Sequence, residues 1–371
     1  MASAAADEST PIPIDRVEQE LARRLHDLQK PGGAPALRAC MSNLVIFCDR
    51  KPLAEQLTND IPAVVALHPA RVLLLIGEPD SGGDEPIATV SVRYHPAAKG
   101  RPVGSEQVTL HARSRTAIDR LPFAVRGLLI GDLPVNLWWA TPSPPPFGGS
   151  LLYELSERAQ QVIYDSIGWP EPARGVVAAA SWLSQLGRCR WCVASDLNWR
   201  RLKYWRRLLA QALDPGSAPG ALDSISEVLV EHGPHAVIQA WELVSWLAAR
   251  LGWQVAAGKV QPGIEISWQV AAPHGKIQVR LRRLADGPSE VRRVRLACRL
   301  RGRPGALNLA YAEEQRLAAV LEGIDAAPRT ITVQAQSLAE LVGRQLSDRE
   351  RDPLFSASMA VARVLAESVL R

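Results

Sequence analysis

The sequence predicts an α/β protein: a mostly parallel-sheet N-terminal domain with helices, followed by an α+β C-terminal domain with a largely antiparallel sheet. Three observations predict it. Between residues 43 and 214, short apolar runs alternate with amphipathic helical stretches, as βαβ units do. Pro215-Gly-Ser-Ala-Pro-Gly220 then reads as a linker. Beyond it, after one strand and one helix, strand patterns from Ile264 to Leu300 follow one another without an intervening helix, which antiparallel pairing permits. At 371 residues the chain has the length of two domains. The expected division is a tail and docking helix over 1–35, an α/β domain over 36–214, a linker over 215–222 and an α+β domain over 223–371.

Asp15-Arg-Val-Glu18 has the spacing of a capping box, and Val17, Leu21, Leu25 and Leu28 form a helical stripe that ends at Pro31-Gly-Gly. Asn43–Cys48 is a buried-strand pattern. The helical stretch from Pro52 is expected to kink or restart at Pro62, because an internal proline removes a helix hydrogen bond. His68-Pro-Ala-Arg-Val-Leu-Leu-Leu-Ile76 is a turn feeding a continuous apolar run, which suits a parallel strand covered on both faces. Strands at Ile87–Tyr94 and Glu106–His111 precede a helix over Ser114–Ile130, which Pro122 interrupts. Asp132–Trp139 is a strand, and Thr141–Pro146 a stiff, polyproline-like loop. A helix over Ser150–Ala159, a strand at Gln161–Asp165, a helix over Arg174–Leu186 and a strand at Arg190–Ala194 continue the alternation.

Ser195 to Asp214 reads as one basic, amphipathic helix. Ser195 or Asp196 can cap it, since a short side-chain oxygen accepts from the first free backbone N–H groups. Trp199, Leu202, Trp205, Leu209 and Ala212 make the apolar stripe, and Arg200, Lys203, Arg206 and Arg207 lie mostly on the other side. Past the linker, Ser224–Glu231 alternates like a strand, and Pro234–Leu251 is a helix stopped by Gly252 and too widely apolar for the surface. Strands are expected at Ile264–Ala271, Lys276–Ala285, Val291–Leu300 and Arg329–Val333, and helices at Leu338–Leu346 and Pro353–Leu370.

The formal net charge is only +5, but between Lys276 and Arg303 ten Lys and Arg face Asp286 and Glu290 alone. Alternation turns Arg280 and Arg282 outward with Arg293, Arg295, Arg299 and Arg301, away from Ile277, Val279, Leu281, Val294 and Leu296. Such like charges repel unless carboxylates elsewhere in the fold reach over, so a binding surface and a solvated face are both open readings.

Several chemistries lack their motifs. No dinucleotide fingerprint or P-loop occurs, so no cofactor is expected. No nucleophile elbow occurs, His232-Gly-Pro-His235 cannot form the one-face geometry of a zinc protease, and carboxylates are scattered rather than paired. No catalytic residue and no metal ligand is assigned. Cys189-Arg-Trp-Cys192 is the only close pair among five cysteines, and lacks the second pair a zinc site would want. Apolar runs such as Gly175–Leu183 fall short of a membrane span, and Met1–Asp15 has no secretory pattern, so a cytoplasmic location is expected. Nucleic acid is disfavoured, since most tryptophans fall on apolar stripes and no reader motif appears.

Several segments together resemble the OpcA family, the glucose-6-phosphate dehydrogenase assembly proteins. They are His68-Pro-Ala-Arg-Val72, Asp132-Leu-Pro-Val-Asn-Leu-Trp-Trp139, Ile163-Tyr-Asp-Ser166, Ser195-Asp-Leu-Asn-Trp-Arg-Arg-Leu202 with Trp205-Arg-Arg-Leu-Leu-Ala-Gln211, and Trp246-Leu-Ala-Ala-Arg-Leu-Gly-Trp253. The chain departs from the family pattern at Ala70, where serine is usual, and at Asn136, where a bulky apolar residue is usual. The resemblance implies a non-catalytic protein that binds glucose-6-phosphate dehydrogenase, promotes its active oligomer and raises oxidative pentose phosphate flux. It supplies no catalytic residues. The concentration of Trp and Arg makes Asn198, Trp199, Arg200, Arg201 and Arg206 candidates to shape or support the partner surface, with Arg280, Arg282, Arg293 and Arg295 as a second candidate. A sugar-phosphate or nucleic-acid binder using a basic face is the competing class.

Overall fold

The computed structural model describes residues 10–28, 37–38, 40–80, 82–95, 103–186 and 192–370. Two eight-stranded sheets carry the fold. The first holds β1 (Leu37–Arg38), β2 (Ser42–Cys48), β3 (Ala70–Gly77), β4 (Ile87–His95), β5 (Val103–Ala112), β6 (Val135–Trp139), β7 (Gln161–Tyr164) and β8 (Val193–Asp196). Its order is β1-β5-β3-β2-β6-β7-β8, with β4 antiparallel to β5 and the other pairs parallel. The chain builds outward from β2 in one direction and then, from β6, in the other. The crevice between β2 and β6 is therefore a topological switch point, where open α/β sheets place ligands.

Helices α1 (Val17–Leu28), α2 (Lys51–Leu67), α3 (Arg115–Leu128), α4 (Gly149–Ser156), α5 (Pro172–Leu186), α6 (Leu197–Arg201) and α7 (Lys203–Ala212) belong to this half. The second half holds α8 (Val237–Leu251), α9 (Leu338–Gln345) and α10 (Pro353–Leu370). Its sheet comprises β9 (Glu227–His232), β10 (Gln254–Gln261), β11 (Glu265–Ala272), β12 (Gly275–Arg283), β13 (Val291–Leu300), β14 (Arg303–Glu313), β15 (Arg316–Glu322) and β16 (Arg329–Thr332). The order is β10-β11-β12-β9-β13-β14-β15-β16, antiparallel except for β9 with β12. The mixed α/β and α+β architecture matches the expectation from sequence.

The C-terminal helices return to the first sheet. α9 packs on α2, and α10 packs on α5 as well as α8. α10 has the length and mean hydropathy of a membrane span, 18 residues and 1.3, yet it carries Arg363 and Glu367 and buries Phe355, Met359, Ala362, Leu365 and Ala366 inside the protein. It is a core helix.

Local expectations fail where tertiary packing outweighs them. Pro62 and Pro122 lie inside continuous helices. An internal proline costs about 3 kcal/mol. α2 offsets that by burying Leu57, Ile61, Val64 and Val65 on the sheet, each worth about 1.5–3 kcal/mol. The capping box at Asp15 does not form: a 3₁₀ turn, Ile14–Arg16, leads into α1, and Glu18 turns to Arg71 instead. Four strands are additional to those expected: the two-residue β1, and β10, β14 and β15. β10 is mostly exposed and holds Ala256, Ala257 and Gly258, so it has no strand composition. β14 and β15 follow turns at Arg301-Gly302 and Gln315, where positive φ reverses the chain. Cys189 lies outside the described residues; Cys192 is buried.

A polar layer crosses the lower end of the parallel sheet. His68 bonds Ser42 and Ser347, while Gln161 and Gln345 both donate to Ser195 Oγ and to the Asp348 carbonyl, which docks the turn after α9. Asn136 lies between Leu44 and Gln161 in register, is fully buried, and leaves both amide atoms without a partner among the described residues. A buried unmatched polar group costs about 1–3 kcal/mol. Asn136→Leu is therefore expected to raise stability by about 1–3 kcal/mol in urea denaturation; a loss of stability would show that the amide is matched in solution.

Candidate functional site

The Asp-Leu-Asn-Trp segment folds inward. β8 ends at Asp196, whose Oδ1 accepts from the Asn198 N–H at 2.9 Å and the Ser166 N–H at 3.2 Å, capping α6 and fixing the loop after β7. Asn198 is fully buried and donates to Ser166 Oγ at 2.9 Å. Arg201 grips Asp165 with two 2.8 Å bonds and also donates to Asn198 Oδ1. Trp199 donates to Asp352 Oδ2 at 2.7 Å, and the other oxygen of Asp352 accepts from the first N–H groups of α10. Arg206 stacks 3.5 Å from the Trp199 ring and donates to the Trp199 carbonyl. Arg200 reaches Gln345 and Asp348 beyond α9.

One helix was expected over Ser195–Asp214; two are present, meeting at Leu202. Arg206 was expected on the solvent side and is half-buried instead, its guanidinium packed on the indole face and donating to a backbone carbonyl in place of water. These five candidates thus join β8, α6 and α7 to α9 and α10. They are brought together, but as an internal brace.

Beneath the brace lies a pair of carboxyls, although carboxylates are scattered along the sequence. Glu242 of α8 is buried beside Asp196. Burial first, and then the charge of Asp165, push the Asp196 carboxyl up to about 7 against hydrogen bonds from Ser166 and Asn198. Burial and Asp196 push Glu242 well above the carboxylate range, and the nearby Arg206 opposes them. A carboxyl kept protonated by burial can offer the donor that two ionised carboxylates lack, and Asp196 Oδ2 and both Glu242 oxygens have no other hydrogen-bond partner among the described residues. The signal in the sequence was a lone glutamate in a helix apolar all round. Both groups are sealed from solvent, so they cannot act on a diffusing substrate.

The second candidate lies 280–295 along the other sheet. α7, α8 and α10 all cover the face bearing Trp268, Val279 and Leu281: Trp205 meets Tyr311, Trp241 meets Trp268, and Trp268 donates to the Leu365 carbonyl. The opposite face presents Arg280, Arg282, Arg293 and Arg295, all partly or largely exposed. Carboxylates do reach over. Arg280 pairs with Glu227 and lies 3.8 Å from Glu265, Arg282 lies 3.3 Å from Glu265 and 4.0 Å from Glu231, and Arg295 lies 3.8 Å from Glu322. Arg293 donates to Asn308. The expected basic patch is a checkerboard of both signs, set by the alternating register of β11, β12, β9, β13 and β15.

A cavity of about 370 Å³ opens at the switch point, lined by Arg50, Pro52, Leu53, Gln56, Leu57, Trp138, Ala140 and Leu338 among others. The fold would place a dinucleotide here. The residues do not fit one. The β2–α2 turn is Asp49-Arg-Lys-Pro52 with no glycine, and Pro52 removes an N–H from the helix terminus. Glu78, at the end of β3, accepts from the Lys51 N–H at 3.0 Å and so fills the place of a pyrophosphate. Its other oxygen is 2.6 Å from His111. Partial burial pushes Glu78 up, but His111 and the Lys51 N–H outweigh it and hold the carboxyl below its ordinary range.

Two family models match the chain: the glucose-6-phosphate dehydrogenase subunit N-terminal domain over residues 62–181, and the C-terminal domain over residues 192–359. The chain belongs to the OpcA family. An OpcA protein of Nostoc punctiforme, named for the OxPP cycle, is 32% identical over 200 residues, covering 53% of this chain and 41% of its own. One from Synechocystis is 30% identical over 232 residues, covering 60% and 46%. The chain thus spans under half the length of the curated OpcA relatives it matches. Among solved structures, an oxidoreductase from Sinorhizobium meliloti aligns with a TM-score of 0.52 at 11% identity, over 89% of this chain and 97% of that one. Glucose-6-phosphate 1-dehydrogenase from Mycobacterium avium aligns with a TM-score of 0.52 at 11% identity, over 87% and 91%. These two likenesses concern fold alone, and this OpcA family member shares it without a glycine-bearing dinucleotide turn.

Proposed function

We propose that this chain is a non-catalytic assembly factor for glucose-6-phosphate dehydrogenase that raises its activity by binding the active oligomer in preference to other states. Preferential binding to one state is sufficient to shift the population toward it. The observation that carries the reading is the uncovered face of the second sheet. The described helices on that sheet pack on the other side, leaving a broad surface of alternating Arg and Glu around Leu229, Ala297, Ala310 and Val320. Mixed charge at this density favours a protein surface of complementary pattern over a polyanion, because the carboxylates cancel most of the positive field. Arg280, Arg282, Arg293 and Arg295 would contact the dehydrogenase directly. Asn198, Trp199, Arg200, Arg201 and Arg206 would support that surface by holding the C-terminal helices in place.

The test combines Arg280→Glu with Arg295→Glu. Exposed ion pairs contribute only about 0–1 kcal/mol each, so the variant is expected to fold. Binding to the dehydrogenase of the same cell is expected to weaken at least tenfold, together with the gain in rate and the shift in oligomer size. Unchanged binding would remove this face from the interface. If the unmodified protein changes neither rate nor oligomer size, the function itself is wrong.

A further inference from the structure

The cavity between β2 and β6 is not explained by assembly. Its wall is the N-terminal turn of α2 (Pro52, Leu53, Leu57), the end of β6 (Trp138, Ala140) and Leu338 of α9, and it is predominantly apolar. About 370 Å³ is within the range of small-molecule sites and leaves little room for a dinucleotide. Its charged groups are few. Asp165 is already neutralised by Arg201. Arg50 stands at the mouth with its side chain about half exposed, held loosely by its neighbour Asp49. A ligand matching this lining has a flat apolar body for the slot and one anionic group for Arg50. An unsubstituted sugar phosphate lacks the body, and a dinucleotide needs the helix terminus that Glu78 occupies.

We propose that this cavity binds a nucleoside monophosphate, with the base between Leu53, Leu57 and Leu338 and the phosphate on Arg50. Apolar side chains that flank a ring accept any base through its face, while a single guanidinium suits a single phosphate. The ligand would bridge α2 and α9, elements from opposite ends of the chain, and so stabilise the docking of the C-terminal segment on the first sheet.

Calorimetric titration of the full chain with AMP tests this, with NADP⁺ and inorganic phosphate as separate arms. One AMP per chain is expected, with no uptake of inorganic phosphate at the same concentration and no tighter binding of NADP⁺ than of AMP. Arg50→Glu is expected to weaken AMP at least tenfold. Leu53→Trp, which fills the slot from a half-exposed position, is expected to abolish it while the thermal midpoint without ligand stays within a few degrees. Absence of AMP binding to the unmodified chain, or AMP binding indifferent to both substitutions, overturns the proposal. NADP⁺ binding ten times tighter than AMP overturns it in favour of a dinucleotide site. None of these outcomes depends on the dehydrogenase.

Discussion

Arg71→Met is expected to cost about 3–5 kcal/mol of folding stability, the loss typical of a buried ion pair deprived of one partner. Arg71 and Glu106 are both almost wholly buried. The guanidinium spends its N–H groups on Glu106 at 2.7 and 2.9 Å, on the Leu128 carbonyl at 3.0 Å, and on Glu18 of α1. One side chain thus ties α1 and the end of α3 to the edge of the parallel sheet. Methionine fills similar volume but removes the guanidinium that faces the buried Glu106 carboxylate, together with its bonds to Glu18 and the Leu128 carbonyl, which is where the cost arises. Adding Glu106→Gln to Arg71→Met is expected to recover about half of the loss, since the second change removes the buried negative charge that faced the guanidinium. Urea denaturation of both variants checks this. A loss below about 1 kcal/mol for Arg71→Met would mean that the pair is solvated in solution. α1 is also expected to become the first site of proteolytic nicking in the single variant, because Glu18 loses its anchor.

The role of Arg71 explains part of what the sequence made legible. The His68-Pro-Ala-Arg-Val72 segment marks the family, yet its charged residue braces the sheet and touches no open site. Strands β2 and β3 were readable because all their residues are buried, which demands unbroken apolar runs. β10 was not, because an exposed strand has no such demand and its pairing with β11 is set by backbone bonds. The break at Leu202 was hidden as well: the apolar stripe runs unbroken from Trp199 to Ala212, while contacts from Asp165 and Asn198 hold the first short helix apart. Positions facing outward on β12 and β13 followed correctly from alternation. Their neutralisation did not, since Glu227, Glu231, Glu265 and Glu322 arrive from three other strands. The cavity and the Asp196–Glu242 pair have the same cause of invisibility, being made by segments far apart in the chain.

That pair makes stability fall as pH rises from 5 to 8, and Glu242→Gln is expected to remove most of the fall. Both carboxyls titrate higher in the folded protein than in the unfolded chain, Asp196 at about 7. The folded state therefore keeps protons that the unfolded state has released, so the pair's contribution is fully present below about pH 4 and lost as pH climbs through 7. A displacement of about three units corresponds to roughly 4 kcal/mol for Asp196 alone, and its complete burial leaves no solvent screening to reduce it. Glu20, held down to about 2 by hydrogen bonds from Arg23 and Arg24, titrates below this window and does not offset the trend. Glutamine keeps the shape of Glu242, cannot ionise, and offers an N–H to Asp196 at every pH. The variant is thus expected to match the unmodified protein within about 1 kcal/mol at pH 5 and to exceed it by about 1–3 kcal/mol at pH 8. Parallel stability curves across that range would show that the two carboxyls do not titrate together.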